Sequence, residues 1–191
     1  MIISTLKVLE LNKKYNLVEN MDERELNNPE GVGIDIRAGK AYRLIGEGFL
    51  GVVDRKNSDT EKIADIDKGD KEILIKPGDY LLVKTMEKFN LPGEKVTVEE
   101  GEKPMYLSLH VYPRSTLQRC GIYLMATKTD PGYSGELTFA LANLGGRQFK
   151  LELGARFANI VFMQVAGEIS RAYEGQWKGG RVSTGGLEKQ I

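Results

Sequence analysis

Three stretches of this 191-residue chain hold side chains that could do chemistry together. The first runs from Pro113 through Arg114, Ser115 and Thr116 to Gly121. It sets a guanidinium fork beside two hydroxyls and the backbone N–H groups of a turn, a combination suited to phosphate. The second, Ala126 to Glu136, puts Asp130 where a strand ends in a tight turn. A carboxylate held there can sit against a ligand and act as base or metal partner. The third is Gly154-Ala155-Arg156-Phe157-Ala158-Asn159-Ile160-Val161-Phe162. Taken singly, Arg114-Ser115 also suits a plain helix start, and Asp130-Pro131-Gly132 a plain turn.

Other chemistries are excluded by the inventory. With one cysteine (Cys120) and one histidine (His110), neither an internal disulfide nor a Cys/His zinc site can form within one chain. Any bound metal should therefore take oxygen ligands, which favours Mg²⁺. The formal charge is zero, yet residues 1–105 carry 17 basic and 21 acidic side chains, and residues 106–191 carry 10 and 6. The second half is the better place for an anionic ligand. A neutral total argues against a nucleic-acid footprint. No apolar run approaches the ~18 residues of a membrane span, and Met1–Asn20 has no signal-peptide pattern. A cytoplasmic protein with no membrane or nucleic-acid partner is expected.

The elements that must position these residues are mostly strands. Residues 4–15 have apolar side chains at helical spacing behind Ser4, a suitable N-cap. After a polar stretch from Glu19 to Glu30, short alternating segments bounded by Gly, Pro, Asp or Asn recur, as in Tyr80–Lys84, Tyr106–Val111, Glu136–Ala142 and Asn159–Val165. That pattern predicts a mainly β fold, a sandwich or barrel. Arg114–Arg119 reads as a short helical turn, and the charged stretch Asn57–Lys71 as an exposed loop. Gly46-Glu47-Gly48-Phe49-Leu50-Gly51 fits G-x-G-x-x-G, but no amphipathic helix follows it, so it reads as a β connection rather than a dinucleotide site. Residues 175–191 hold five of the 22 glycines and are expected to be mobile unless ordered by a ligand or neighbour.

In their order and spacing these segments resemble the dUTPase / dCTP deaminase family. The resemblance runs from about Gly31 to Ser183 and includes Gly33-Ile34-Asp35-Ile36-Arg37 and Ile75-Lys76-Pro77-Gly78-Asp79-Tyr80. It implies a distorted jelly-roll β-barrel at residues 1–170 and a flexible tail at 171–191 that closes on the site. It also implies a homotrimer with active sites between subunits. Its implied site takes Asp130 as the catalytic base, with Arg114, Ser115, Thr116, Asn159, Tyr173, Gln176 and Lys178 on the phosphates. Thr129, Tyr133 and Arg181 are placed at the sugar and base. Mg²⁺ would ride on the triphosphate, supported through water by Asp35.

The family holds two reactions, hydrolysis of dUTP to dUMP and pyrophosphate, and deamination of dCTP. The resembling deaminases carry a glutamate ten residues after the turn aspartate, where this chain has Ala140, and an arginine where it has Lys128. Glu136 shares the polar strand face with position 140, but four residues at ~3.3 Å each put it about 13 Å away, so it could substitute only with a different pocket. The expectation is therefore a Mg²⁺-dependent dUTP diphosphatase acting on deoxyuridine triphosphate. A dCTP deaminase, a bifunctional enzyme and a non-catalytic nucleotide-binding relative are the alternatives. Two departures stand out: Asn159 replaces a phosphate-binding glutamine, and Arg181 stands where the dUTPase tail has an aromatic. The stretch Tyr173-Glu174-Gly175-Gln176 looks more like the deaminase branch.

Overall fold

The computed structural model describes residues 1–190. The chain opens with α1 (Thr5–Tyr15), a strand pair member β1 (Val18–Glu19) and α2 (Glu23–Asn27). Then follow β2 (Ile34–Ile45), β3 (Phe49–Leu50), β4 (Asp54–Lys56), β5 (Asp59–Asp65), β6 (Glu72–Ile75) and β7 (Tyr80–Asn90). The second half carries β8 (Tyr106–Pro113), α3 (Ser115–Arg119), β9 (Ile122–Met125), β10 (Ser134–Asn143), β11 (Phe149–Glu152), β12 (Arg156–Val165) and β13 (Leu187–Lys189).

The main sheet is antiparallel, in the order β8-β12-β2-β7-β10-β9, with β1 added on β7 and β5 on β2. A bridge between Leu109 of β8 and Thr129, just beyond β9, ties the two ends of this path together. The result is a nearly closed barrel, as the alternating segments predict. Its core takes the inward residues of each strand, among them Ile34, Ile36, Phe89, Leu109, Leu141, Phe157, Ile160 and Phe162, all fully buried. α1 begins where expected, with the Ser4 side chain accepting from Lys7 N–H, and ends at Asn16 in the left-handed region.

Two local expectations are corrected. Asn57–Lys71 is not a loop: Asp59–Asp65 forms β5, paired with β2, and a short 3₁₀ turn follows. Its charge reflects an edge position, where Glu61 pairs with Arg43 and Asp65 with Lys62 and Lys40. The polar stretch after Glu19 contains α2, capped by the Asp22 side chain, which accepts from Arg24 N–H. The glycine-rich Gly46–Gly51 segment is a β connection with no helix after it.

The C-terminal segment folds back on the barrel. Tyr173 N–H donates to the Pro131 carbonyl at 2.7 Å, and Gly179 N–H to the Ser134 carbonyl at 2.6 Å. β13 then pairs with β4. The close approach depends on glycine: Gly135 sits at φ +134°, and a Cβ there would fall 2.3 Å from Gly180 N. No helix among the described residues is long and apolar enough to cross a membrane.

Two outcomes follow. Phe162→Ala, which empties a buried position between β8 and β2, should cost ~3–5 kcal/mol, read by denaturant unfolding. Gly135→Ala should free the C-terminal segment without unfolding the barrel, read as faster limited proteolysis after residue 165 at an unchanged far-UV spectrum.

Candidate active site

β10 leaves the Asp130-Pro131-Gly132 turn and runs along a cavity. Leu137 and Phe139 are buried and Glu136 and Thr138 half-buried, and all four line it. A cavity of about 310 Å³ lies there, walled by Lys128, Thr129, Asp130, Tyr133, Glu136 and Thr138 and closed from the C-terminal side by Tyr173, Trp177 and Arg181. Tyr133, Asp130, Thr129, Tyr173 and Arg181 are thus brought together.

Each wall residue has a definite local state. Asp130 pairs with Lys128 at the exposed mouth. Tyr133 is buried; its hydroxyl donates to the Glu136 carbonyl at 2.6 Å, and its ring meets that of Tyr173 at 5.8 Å. Burial, reinforced by Tyr173 and Glu136, pushes the Tyr133 phenol well above its usual range, so this hydroxyl stays protonated. Glu136 Oε2 lies 3.3 Å from Lys84 Nζ. Thr138 Oγ1 is buried with no hydrogen-bond partner. Thr129 is anchored by reciprocal backbone bonds with Leu109.

A larger, adjoining cavity of about 940 Å³ shares Asp130, Tyr173, Trp177 and Arg181 and reaches Gln176, whose Oε1 is buried and unpartnered. Arg181 donates to the Thr184 carbonyl and to Glu188. Lys178 turns to Glu174 at 2.8 Å and lines neither cavity.

Arg114 and Thr116 lie elsewhere, in a cavity of about 540 Å³ walled also by Lys150, Gly154 and Arg156, which has no residue in common with the Asp130 cavity. The short helix α3 starts at Ser115, exposed and without a side-chain cap from Arg114. Beneath it, Asp35 is buried and held by Arg114, by Arg156 at 3.2 Å and by the Asn159 amide, which donates at 3.0 Å. Glu25, fully buried, accepts from the Asp35 N–H and pairs with Arg24 at 2.7 Å. Burial first, then the neighbouring charges of Arg156 and Arg24, lower the Arg114 pKa from its ordinary value. An anion bound there would relieve that crowding. The resemblance gives Asp35 a role toward a metal through water; in this structure its carboxylate lies among the guanidinium groups of Arg114 and Arg156. Among the described residues no three His, Cys, Asp or Glu side chains converge to hold a metal.

Sequence reasoning did not assign Trp177, Lys84, Thr138, Glu25 or Arg156 to the site. Trp177, the chain's one tryptophan, sits in the glycine-rich tail and carried no spacing signal. Strand spacing puts Glu136 about 13 Å from position 140 on the same face of β10, and Glu136 lines the cavity. The cavity opens at the Glu136 end of β10, and Ala140 is buried outside its wall.

Comparison with known proteins decides the family. A family model described as dCTP deaminase-like matches residues 2–165. A dCTP deaminase of Aeropyrum pernix is 30% identical over 149 residues, 78% of this chain and 76% of that protein. A "dCTP deaminase, dUMP-forming" of Persephonella marina is 26% identical over 187 residues, 96% of this chain and 95% of that protein. The crystal structure of a 2'-deoxycytidine 5'-triphosphate deaminase from Agrobacterium tumefaciens matches with a TM-score of 0.58 at 16% identity. That match covers 86% of this chain and about half (49%) of that one, and it speaks to the fold. The expectation of a dUTP diphosphatase is overturned here, since the curated relatives are named for dCTP deamination. The alternative weighed beside it, from the deaminase branch, is the better reading. With a family model spanning most of its length and a relative at 30% identity, the chain belongs to the dCTP deaminase-like family.

Proposed function

We propose that this chain is a dCTP deaminase that hydrolyses the C4–amino bond of the cytosine ring, releasing ammonia and a uracil deoxynucleotide. The observation that carries this reading is the family match over residues 2–165, joined to relatives named for that reaction. The site supports it in kind. A half-enclosed cavity with a buried tyrosine floor and two carboxylates suits a flat, polar base, and a separate cavity sets Arg114, Lys150 and Arg156, donors suited to phosphate, beside Asp22 and Glu152.

Tyr133 packs against the sugar or base with its hydroxyl already committed to backbone. Arg114, Thr116, Arg156 and Lys150 receive phosphate oxygens, with Asp35 and Asn159 fixing the guanidinium groups that do so. Gln176, with its unpartnered oxygen, and Tyr173 belong to the segment that closes over the nucleotide. Because the Asp130 and Arg114 cavities share no wall residue, one nucleotide reaching both kinds of group is best served by two copies of the chain, as in a homotrimer with sites between subunits. Mg²⁺ enters this proposal only with the nucleotide: phosphate oxygens and water supply its coordination, and no side chain here is assigned to it.

Ala140 favours a second reading, a relative that binds the nucleotide without turnover, because a position on the polar face of β10 lacks a proton-transfer group. One assay separates the two. Purified protein incubated with dCTP and Mg²⁺ should release ammonia in step with dUTP or dUMP on an ion-exchange column. Binding of dCTP with no ammonia above background would replace the first reading by the second. Asp35→Asn, which unpins Arg114 and Arg156, should raise KM for the nucleotide roughly tenfold, about 1.4 kcal/mol, with a smaller change in kcat.

A further inference from the structure

Hydrolysis of a C4 amine needs one group near the ring that takes a proton from the attacking water and returns it to the leaving nitrogen. The described walls of the Asp130 cavity narrow the choice. Tyr133 is excluded, because its hydroxyl is bound to the Glu136 carbonyl at 2.6 Å. Lys128 and Arg181 are cations. Neither His110 nor Cys120 lines the cavity. Two carboxylates stand on these walls, Asp130 and Glu136.

Their settings differ. Asp130 and its partner Lys128 stand in solvent at the mouth, with side chains 43% and 58% exposed. Glu136 lies deeper, 31% exposed, against Lys84, which is 13% exposed. The C-terminal segment covers it: a Cβ added to Gly180 would fall 2.3 Å from Glu136 Oε2. On the same strand face, two residues along, the Thr138 hydroxyl is buried with no partner. An unpaired polar atom in a cavity wall is a place for a ligand atom or an attacking water. Ala140, the next position on that face, is outside the wall and has nothing to offer.

We propose that Glu136 is the proton-transfer carboxylate of this enzyme, with Thr138 Oγ1 holding the attacking water; this rests on the deaminase reading. Water oxygen bonds to C4 as one of its protons passes to Glu136. The tetrahedral carbon then loses its amine, which leaves as ammonia carrying one of the two water protons, and the other ends on ring nitrogen N3. The oxygen stays as the C4 carbonyl, and Glu136 finishes as the carboxylate it began as. Lys84 Nζ, 3.3 Å from Glu136 Oε2, holds the carboxylate in place.

The test compares the full-length parent with Glu136→Gln and Glu136→Asp, reading ammonia release from dCTP and dCTP affinity by calorimetry. The expected result is a kcat loss of about 100-fold or more in E136Q, dCTP affinity within about threefold of the parent, and recovery of a tenth or more of the activity in E136D. An E136Q protein within tenfold of the parent overturns the assignment while leaving the deaminase reading intact. So does an E136Q protein that loses dCTP affinity along with activity, since Glu136 would then be a binding group. A parent that releases no ammonia overturns the deaminase reading, and the assignment with it.

Discussion

A buried carboxylate must be compensated, and Asp35 of β2 draws its partners from β12 and from the β8–α3 junction. Asp35 belongs to β2, Arg156 and Asn159 to β12, and Arg114 to the end of β8 where α3 begins; Glu25 of α2 closes the cluster from below. Taking a lone carboxylate out of water costs several kcal/mol, so the guanidinium groups cannot drift away while the barrel is folded. The requirement also sets the space available. A Cβ on Gly33 would fall 1.8 Å from the Asn159 amide oxygen, so the chain entering β2 has to be glycine for that amide to reach Asp35. The phosphate-like half of the site is thus a by-product of keeping the β2–β12 junction electrically neutral.

The other half depends on backbone approach more than on charge. The turn at Asp130 and the first residues of β10 are met by the returning C-terminal segment at Gly132, Gly135 and Gly180, where side chains would not fit. That contact brings Tyr173, Trp177 and Arg181 to the rim of the Asp130 cavity and lays the tail over Glu136. Access to the base-sized cavity and the solvation of its carboxylates are both governed by one glycine-lined interface.

Much of this was legible beforehand. The helix at the start, the strand character of residues 80–84, 106–111 and 136–142 and the helical turn at 114–119 all followed from periodicity and capping, and the strands run longer in the structure. β5 was missed because an edge strand paired through ion pairs has the composition of a loop. The expectation of dUTP hydrolysis rested on Ala140 in β10, and relatives named for dCTP deamination overturn it. Reasoning along β10 tied proton transfer to position 140, and strand spacing gives the separation of residues but not which end of a strand a cavity meets. The cavity meets the Glu136 end.

The sequence by itself determined the mainly β architecture, that one chain cannot build a zinc site from Cys and His alone, the turn at Asp130 and the basic residues at Arg114 and its neighbours. These are local matters of residue type, spacing and turn geometry. Only the tertiary structure decided that Asp35 faces guanidinium groups, that Arg114 and Asp130 wall different cavities, and that Glu136 stands inside one. Each of those depends on contacts between residues up to 124 positions apart, such as Asn159 with Asp35, and no periodicity along the chain encodes a distance across the barrel.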